Sequence, residues 1–325
     1  DLFIENFAKP SLEWCRENNI QLTGHILHED SLTAQVAMSG SVMRYYEYMD
    51  IPGIDILTEN NKSFWVAKQL SSVARQLGQP WMLSELYGCT GWQMGFQGHK
   101  EVGDWQALFG VNLRCHHLSW YTMEGEAKRD YPASINFQSG WWKEYKTVED
   151  YFSRLGVVLQ QGKSKCDVLV IHPVESVWCQ VYPGWSTNLG PQSDGVKDLE
   201  KDFIKLFYGL SGNQIDFDYG DEEMMSRLYK VIKGEGKPKL VIGKAEYEVV
   251  IVPNMVTIRK TTLNILEEFI SAGGHVIFAG EIPGYVDAIQ TDSVKPIANQ
   301  AFHVPFDVNE IANLCRTVSP SKMEI

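Results

Sequence analysis

The chain has 325 residues, 44% hydrophobic and 22% charged, which is enough apolar side chain for more than one core and for about two domains. Twenty-nine Lys and Arg against 41 Asp and Glu leave a formal charge of −12, which repels phosphate backbones, supplies no counterion release and argues against nucleic acid as a partner. No apolar run approaches the ~18 residues a membrane span needs, so no membrane is expected, and with no signal pattern at the start the compartment stays open. The six cysteines are widely spread with no CxxC pair, so neither a metal site nor a disulfide framework is indicated, and no cofactor is expected.

The chain opens abruptly on "DLFIENFAKPSLEWCRENN", which reads as the middle of a helix or its approach, as in a piece of a longer protein. A period follows up to about residue 162. Helix "SLEWCRENN" leads to strand "IQLTGHIL", helix "SLTAQVAMSGSVMRYYEYM" to "GIDIL", helix "FWVAKQLSSVARQLG" to "PWMLSEL", and helix "VGDWQALFG" to "VNLRCHHLSWY". Such alternation predicts parallel strands with right-handed crossovers. The long segment "EAKRDYPASINFQSGWW" precedes a last helix, "WWKEYKTVEDYFSRLGVVLQQG", which Trp141 and Trp142 anchor. Gly162-Lys163-Ser164-Lys165 then reads as a boundary, giving domains 1–162 and 163–325. Beyond it come strand "CDVLVIHP", helix "LEKDFIKLFYGLSG", strands "QIDFDY" and "EYEVVIVPN", helix "TTLNILEEFISAGG" and strand "HVIFAG". This is a second parallel α/β unit, flavodoxin-like or amidotransferase-like, whose pattern weakens from Tyr285 onward.

In a parallel α/β barrel, catalytic groups project from the C-terminal ends of strands. The first strand ends in His25, His28 and Glu29, the second in Asp55, the third in Glu85 and Tyr87 with Trp92 beyond, and the fourth in His116, His117, Trp120 and Tyr121. Glycoside hydrolysis suits this inventory, since it uses carboxylates at the anomeric carbon, polar groups for hydroxyls and flat aromatics for the sugar face. Glu85 is the leading catalytic carboxylate, as nucleophile or as base for water, with Tyr87 placed to donate a hydrogen bond to it. The plainer alternative is a strand-end Glu that caps a helix or pairs with an Arg. Adjacent strand residues point to opposite faces, so at most one of His116 and His117 faces the site. Trp120 and Tyr121 serve equally well as core fillers, and His25 as a hydrogen-bonding core residue.

"LTGHILHE", "IPGIDIL", "PWMLSELYGCTGW", "GDWQALFGVNLRCHHLSWYTMEGEAKRDYPASI" and "YFSRLGVVLQQG" resemble the last four βα units of clan A-like glycoside hydrolases. The resemblance is to family 42 β-galactosidases, whose barrel precedes an amidotransferase-like domain, and to the family 106 α-L-rhamnosidase group. It implies a partial (β/α)8 barrel followed by a flavodoxin-like, class I amidotransferase-like domain. "SELYG" then corresponds to the seventh strand, where retaining enzymes of the clan carry the nucleophile, and gives Glu85 that role. The fourth strand, which holds the acid in that pattern, would precede Asp1, and Glu29 and Asp55 are the nearby substitutes. His25, Glu29, Asp55, Tyr87, Trp92, His116, His117, Trp120 and Tyr121 are the expected carbohydrate contacts.

No cysteine of the second unit falls on a strand-to-helix elbow, which argues against amidotransferase chemistry and for a non-catalytic domain. A half-barrel would expose strand edges, so a homo-oligomer, silent as an isolated piece, is expected. The competing reading is a non-catalytic carbohydrate-binding or assembly module.

Overall fold

The computed structural model describes residues 1–125, 133–162, 164–233 and 236–320. Part of "EAKRDYPASINFQSGWW" and Lys163 of the boundary stretch lie outside them. The chain forms two compact units, one of Asp1–Glu29, Tyr45–Ala74 and Gln79–Ser164, the other of Asp30–Arg44, Arg75–Gly78 and Lys165–Ile325. No helix among the described residues is long and apolar enough to cross a membrane.

The first unit is built on a parallel sheet of β1 (Thr23–Gly24), β2 (Ile51–Asp55), β3 (Leu83–Leu86) and β4 (Leu113–His116), lying side by side in chain order. Helix Phe64–Leu77 connects β2 to β3, helix Phe96–Leu108 connects β3 to β4, and Lys146–Leu159 follows. In Phe64–Leu77, Val66, Leu70 and Val73 recur at helical spacing and are buried. Helices Phe96–Leu108 and Lys146–Leu159 pack closely because residue 103 is glycine: a Cβ there would lie 2.1 Å from Phe152 Cζ.

Two elements differ from the sequence reading. "IQLTGHIL" pairs only at Thr23 and Gly24, opposite Ile51 and Pro52. "SLTAQVAMSGSVMRYYEYM" is two helices, Leu32–Met38 and Val42–Tyr46, with Gly40 at φ +86°, a conformation an α-helix cannot continue through.

The second unit contains β5 (Val168–Ile171), the hairpin β6 (Ser186–Thr187) and β7 (Gly190–Pro191), and β8 (Phe217–Gly220). An antiparallel sheet of β9 (Tyr229–Ile232), β10 (Lys239–Ile242) and β11 (Ala245–Tyr247) follows. The remaining strands are β12 (Val249–Val252), β13 (Thr257–Ile258), β14 (His275–Ala279), β15 (Tyr285–Val286), β16 (Ile289–Gln290) and β17 (Phe302–Val304). Five of them form one parallel sheet in the order β8-β5-β12-β14-β17, the doubly wound arrangement whose strand order reverses beside β5. β5, β8 and β12 are buried at every residue, as strands covered on both faces must be. On one side Leu169, Ile171, Val250 and Val252 pack with Leu263, Leu266 and Phe269 of helix Lys260–Ser271.

The weakening of the pattern at Tyr285 does not end the fold. β17 completes the sheet and helix Val308–Val318 follows it; an edge strand of three partly exposed residues carries no apolar run to be read. The sequence reading also passed over the sheet β9-β10-β11, and Glu248 splits "EYEVVIVPN" between β11 and β12.

Candidate active site

Parallel register pairs Asp55 with Glu85 and Glu85 with Cys115, so these side chains leave one face of the first sheet. The next positions, Ser84, Leu86, Arg114 and His116, leave the other. Glu85 lies between two imidazoles: Oε2 is 2.6 Å from His25 Nε2, and Oε1 is 3.9 Å from His117 Nε2. His25 Nδ1 faces the Ile26 carbonyl at 3.3 Å and Asp55 Oδ2 at 3.9 Å. Both ring nitrogens therefore face acceptors, which suits the imidazolium. Burial opposes that cation, but Asp55, the Ile26 carbonyl, Glu29 and Glu85 outweigh it and hold the His25 pKa above its usual value. Gly88 admits His117 to the end of β3, since a Cβ there would lie 2.4 Å from His117 Cγ.

The histidine doublet divides as strand alternation requires. His116 points away from Glu85, with Nε2 3.0 Å from Glu149 Oε1 on helix Lys146–Leu159, where Arg114 Nη2 also donates to Glu149 Oε2 at 2.7 Å. The His116 hydrogen bond, opposed by burial and reinforced by Arg114, holds Glu149 below the usual carboxylate range.

Two expected site residues are not presented to a ligand. Tyr87 does not donate to Glu85. It adopts φ +72°, is buried, and its hydroxyl donates to the His99 carbonyl at 3.0 Å while accepting from Arg114 Nη1 at 3.3 Å. Burial, opposed by Arg114, pushes its phenol to about 12. Glu29 is 2% exposed, and its carboxylate accepts hydrogen bonds from the Ile26 and Asp55 N–H groups and the Tyr46 hydroxyl. Burial raises its pKa to about 7 against those bonds and the His25 charge. It stands behind the site rather than facing a substrate.

Trp92 and Trp120 pack edge to face with centroids 5.3 Å apart; Trp120 is buried, Trp92 is partly open, and Tyr121 is 99% exposed. Cys115, which sequence reasoning passed over, shares the face of Glu85, and burial together with the Glu85 charge raises its thiol pKa. The alternation in "LRCHH" carried that signal, because Cys115 and His117 stand two apart. Glu149 lay on a helix far along the chain, and nothing local tied it to His116. His25, Asp55 and Glu85 offer ligand atoms within 4.8 Å of one another, spacing compatible with a cation, although the His25–Glu85 hydrogen bond already engages two of the three. In the second unit no described cysteine occupies a nucleophile elbow: Cys166 precedes β5, and Cys179 ends the short helix Val174–Trp178.

No family model matches the chain. It is 23% identical over 288 residues to a Formosa agariphila protein named "Putative beta-glucuronidase", a match covering 85% of this chain and 21% of that protein. Among solved structures it is similar to a rhamnosidase from Novosphingobium sp. PP1Y, with TM-score 0.61 and 17% identity over 95% of this chain and 27% of that one. The GH42 exo-carrageenase from Bacteroides ovatus gives TM-score 0.65 and 12% identity, over 96% and 43%. The β-galactosidase from Bacillus circulans sp. alkalophilus gives 0.57 and 15%, over 88% and 39%. The fold is thus a mixed α/β one of the glycoside hydrolase kind, with parallel sheets. The chain spans about a fifth of the length of the curated relative, 21%, and less than half of each of these solved chains.

Proposed function

We propose that this chain is part of a glycoside hydrolase that cleaves O-glycosidic bonds, with Glu85 as nucleophile or as the base that activates water. The observation that carries this is the Glu85 carboxylate at the C-terminal end of a parallel strand, 2.6 Å from His25 and on the face shared with Asp55. Its support in the comparisons is that proteins of this fold include a rhamnosidase, a β-galactosidase and a carrageenase. On this reading β1 to β4 are four βα units of a (β/α)8 barrel, and the second unit is an amidotransferase-like domain without its nucleophile. A positively charged His25 would hold the Glu85 carboxylate in place, and the open Trp92 would meet the apolar face of a sugar.

Hydrolysis also needs a carboxyl group to protonate the leaving oxygen. Glu29 is buried and Asp55 lies beside Glu85 rather than across from it, so the proposal gives that role to neither. Screening the full-length protein against aryl α- and β-glycosides tests the assignment. Release of the aryl group from one sugar class is the expected result, and silence across the panel counts against it.

A further inference from the structure

The β1–β2 ladder stops at Gly24 and Pro52, whereas the β2–β3 ladder runs on to Asp55 and Glu85. Beyond Pro52 that ladder no longer ties the end of β1, which carries His25, to the end of β2, which carries Asp55. The Glu29 carboxyl occupies this gap. Its Oε1 accepts from the Ile26 N–H at 3.3 Å and from the Tyr46 hydroxyl at 2.8 Å, and its Oε2 accepts from the Asp55 N–H at 2.8 Å. His28, at φ +59°, turns the loop back so that the next side chain points inward, and the fully buried Tyr46 fixes the carboxyl from behind.

We infer that Glu29 is a positioning residue: it bridges Ile26 and Asp55 across the unladdered gap and so sets the His25 imidazole against Glu85. The inference rests on Glu85 as the site carboxylate. What the bridge needs is reach and two acceptor oxygens, since two strand ends must donate to the two oxygens of one group. A glutamine reaches as far, but with its oxygen on the Asp55 N–H its amide nitrogen would face the Ile26 N–H, donor against donor, and that end of the bridge opens. An aspartate keeps the charge and is one methylene short.

Glu29→Gln and Glu29→Asp in the full-length protein therefore break the bridge in two independent ways, the first by a misplaced donor and the second by a missing methylene. The readouts are the downfield proton shared by His25 and Glu85, assigned by its loss in His25→Gln, and kcat and KM on the aryl glycoside that the panel selects. Glu29→Gln and Glu29→Asp should each lose the resonance and about 10–10²-fold in kcat at little changed KM, the cost of a displaced catalytic geometry. Retention of the resonance and of wild-type kcat by either variant overturns the inference. Failure of the Glu85 assignment reads out separately, as unchanged kcat in Glu85→Gln, while the proton resonance still decides the role of Glu29.

Discussion

His172 gives the second unit a pH dependence that one substitution should remove. It follows β5, donates its backbone N–H to the Gly220 carbonyl at 2.9 Å, and is completely buried with Phe203 and Tyr219 ring centroids 5.5 Å away. Neither ring nitrogen has a hydrogen-bond partner among the described residues. Burial lowers its pKa from 6.5 to about 3. The unfolded chain therefore takes up a proton below 6.5 that the folded chain refuses until about 3, so stability is full above the unfolded value and falls as pH drops between the two. At pH 4.5 the two units of deficit, at 1.36 kcal/mol each, amount to about 3 kcal/mol. His172→Leu keeps the volume and loses no hydrogen bond, so it should change little at pH 7.5 and make the protein more stable than wild type by about 3 kcal/mol at pH 4.5. Amide hydrogen exchange of β5, β8 and β12 at both pH values measures the stability difference between the two proteins within the second unit and cancels every other titration. A wild-type-minus-variant difference identical at the two pH values would refute the reasoning.

Glu29 has the opposite sign. Its folded pKa is raised from 4.5 to about 7, so stability is full below 4.5 and falls as pH rises toward 7, by about 3 kcal/mol in all; Glu29→Gln should flatten that fall in urea titrations. Gly88→Ala should push His117 from Glu85, because the added methyl would sit 2.4 Å from His117 Cγ; an unmoved His117 in a crystal structure of the variant would contradict this. Tyr87→Phe should cost about 1 kcal/mol through the lost bond to the His99 carbonyl and leave the His25–Glu85 proton resonance in place, which NMR checks.

Strands were legible wherever an apolar run was long enough to be buried on both faces. "VLVI", "VVIV" and "HVIFA" became β5, β12 and β14 because a covered parallel strand is almost wholly apolar. β17 escaped because a short edge strand buries little; β10 escaped because its buried residues alternate with partly exposed ones over only four positions. At the site, strand-end logic put Asp55 and Glu85 at strand ends, and the two-residue period divided His116 from His117; that Asp55 and Glu85 share a face came only with the register. Strand-end logic misassigned Tyr87 because the period breaks where φ turns positive, which no neighbouring residue announces. It gave Glu29 to the substrate because a carboxylate in a polar loop reads as exposed. The tertiary partners that bury it, Tyr46 and the Asp55 N–H, lie 17 and 26 residues along the chain.

If Glu85 performs the chemistry, Glu85→Gln in the full-length protein exposes it. Glutamine keeps the shape of the side chain and an oxygen for His25 while removing the charge needed for nucleophilic attack or proton abstraction. On the aryl glycoside that the panel selects, kcat should fall by about 10²-fold or more while KM moves little. A variant that turns over at the wild-type rate would contradict the account.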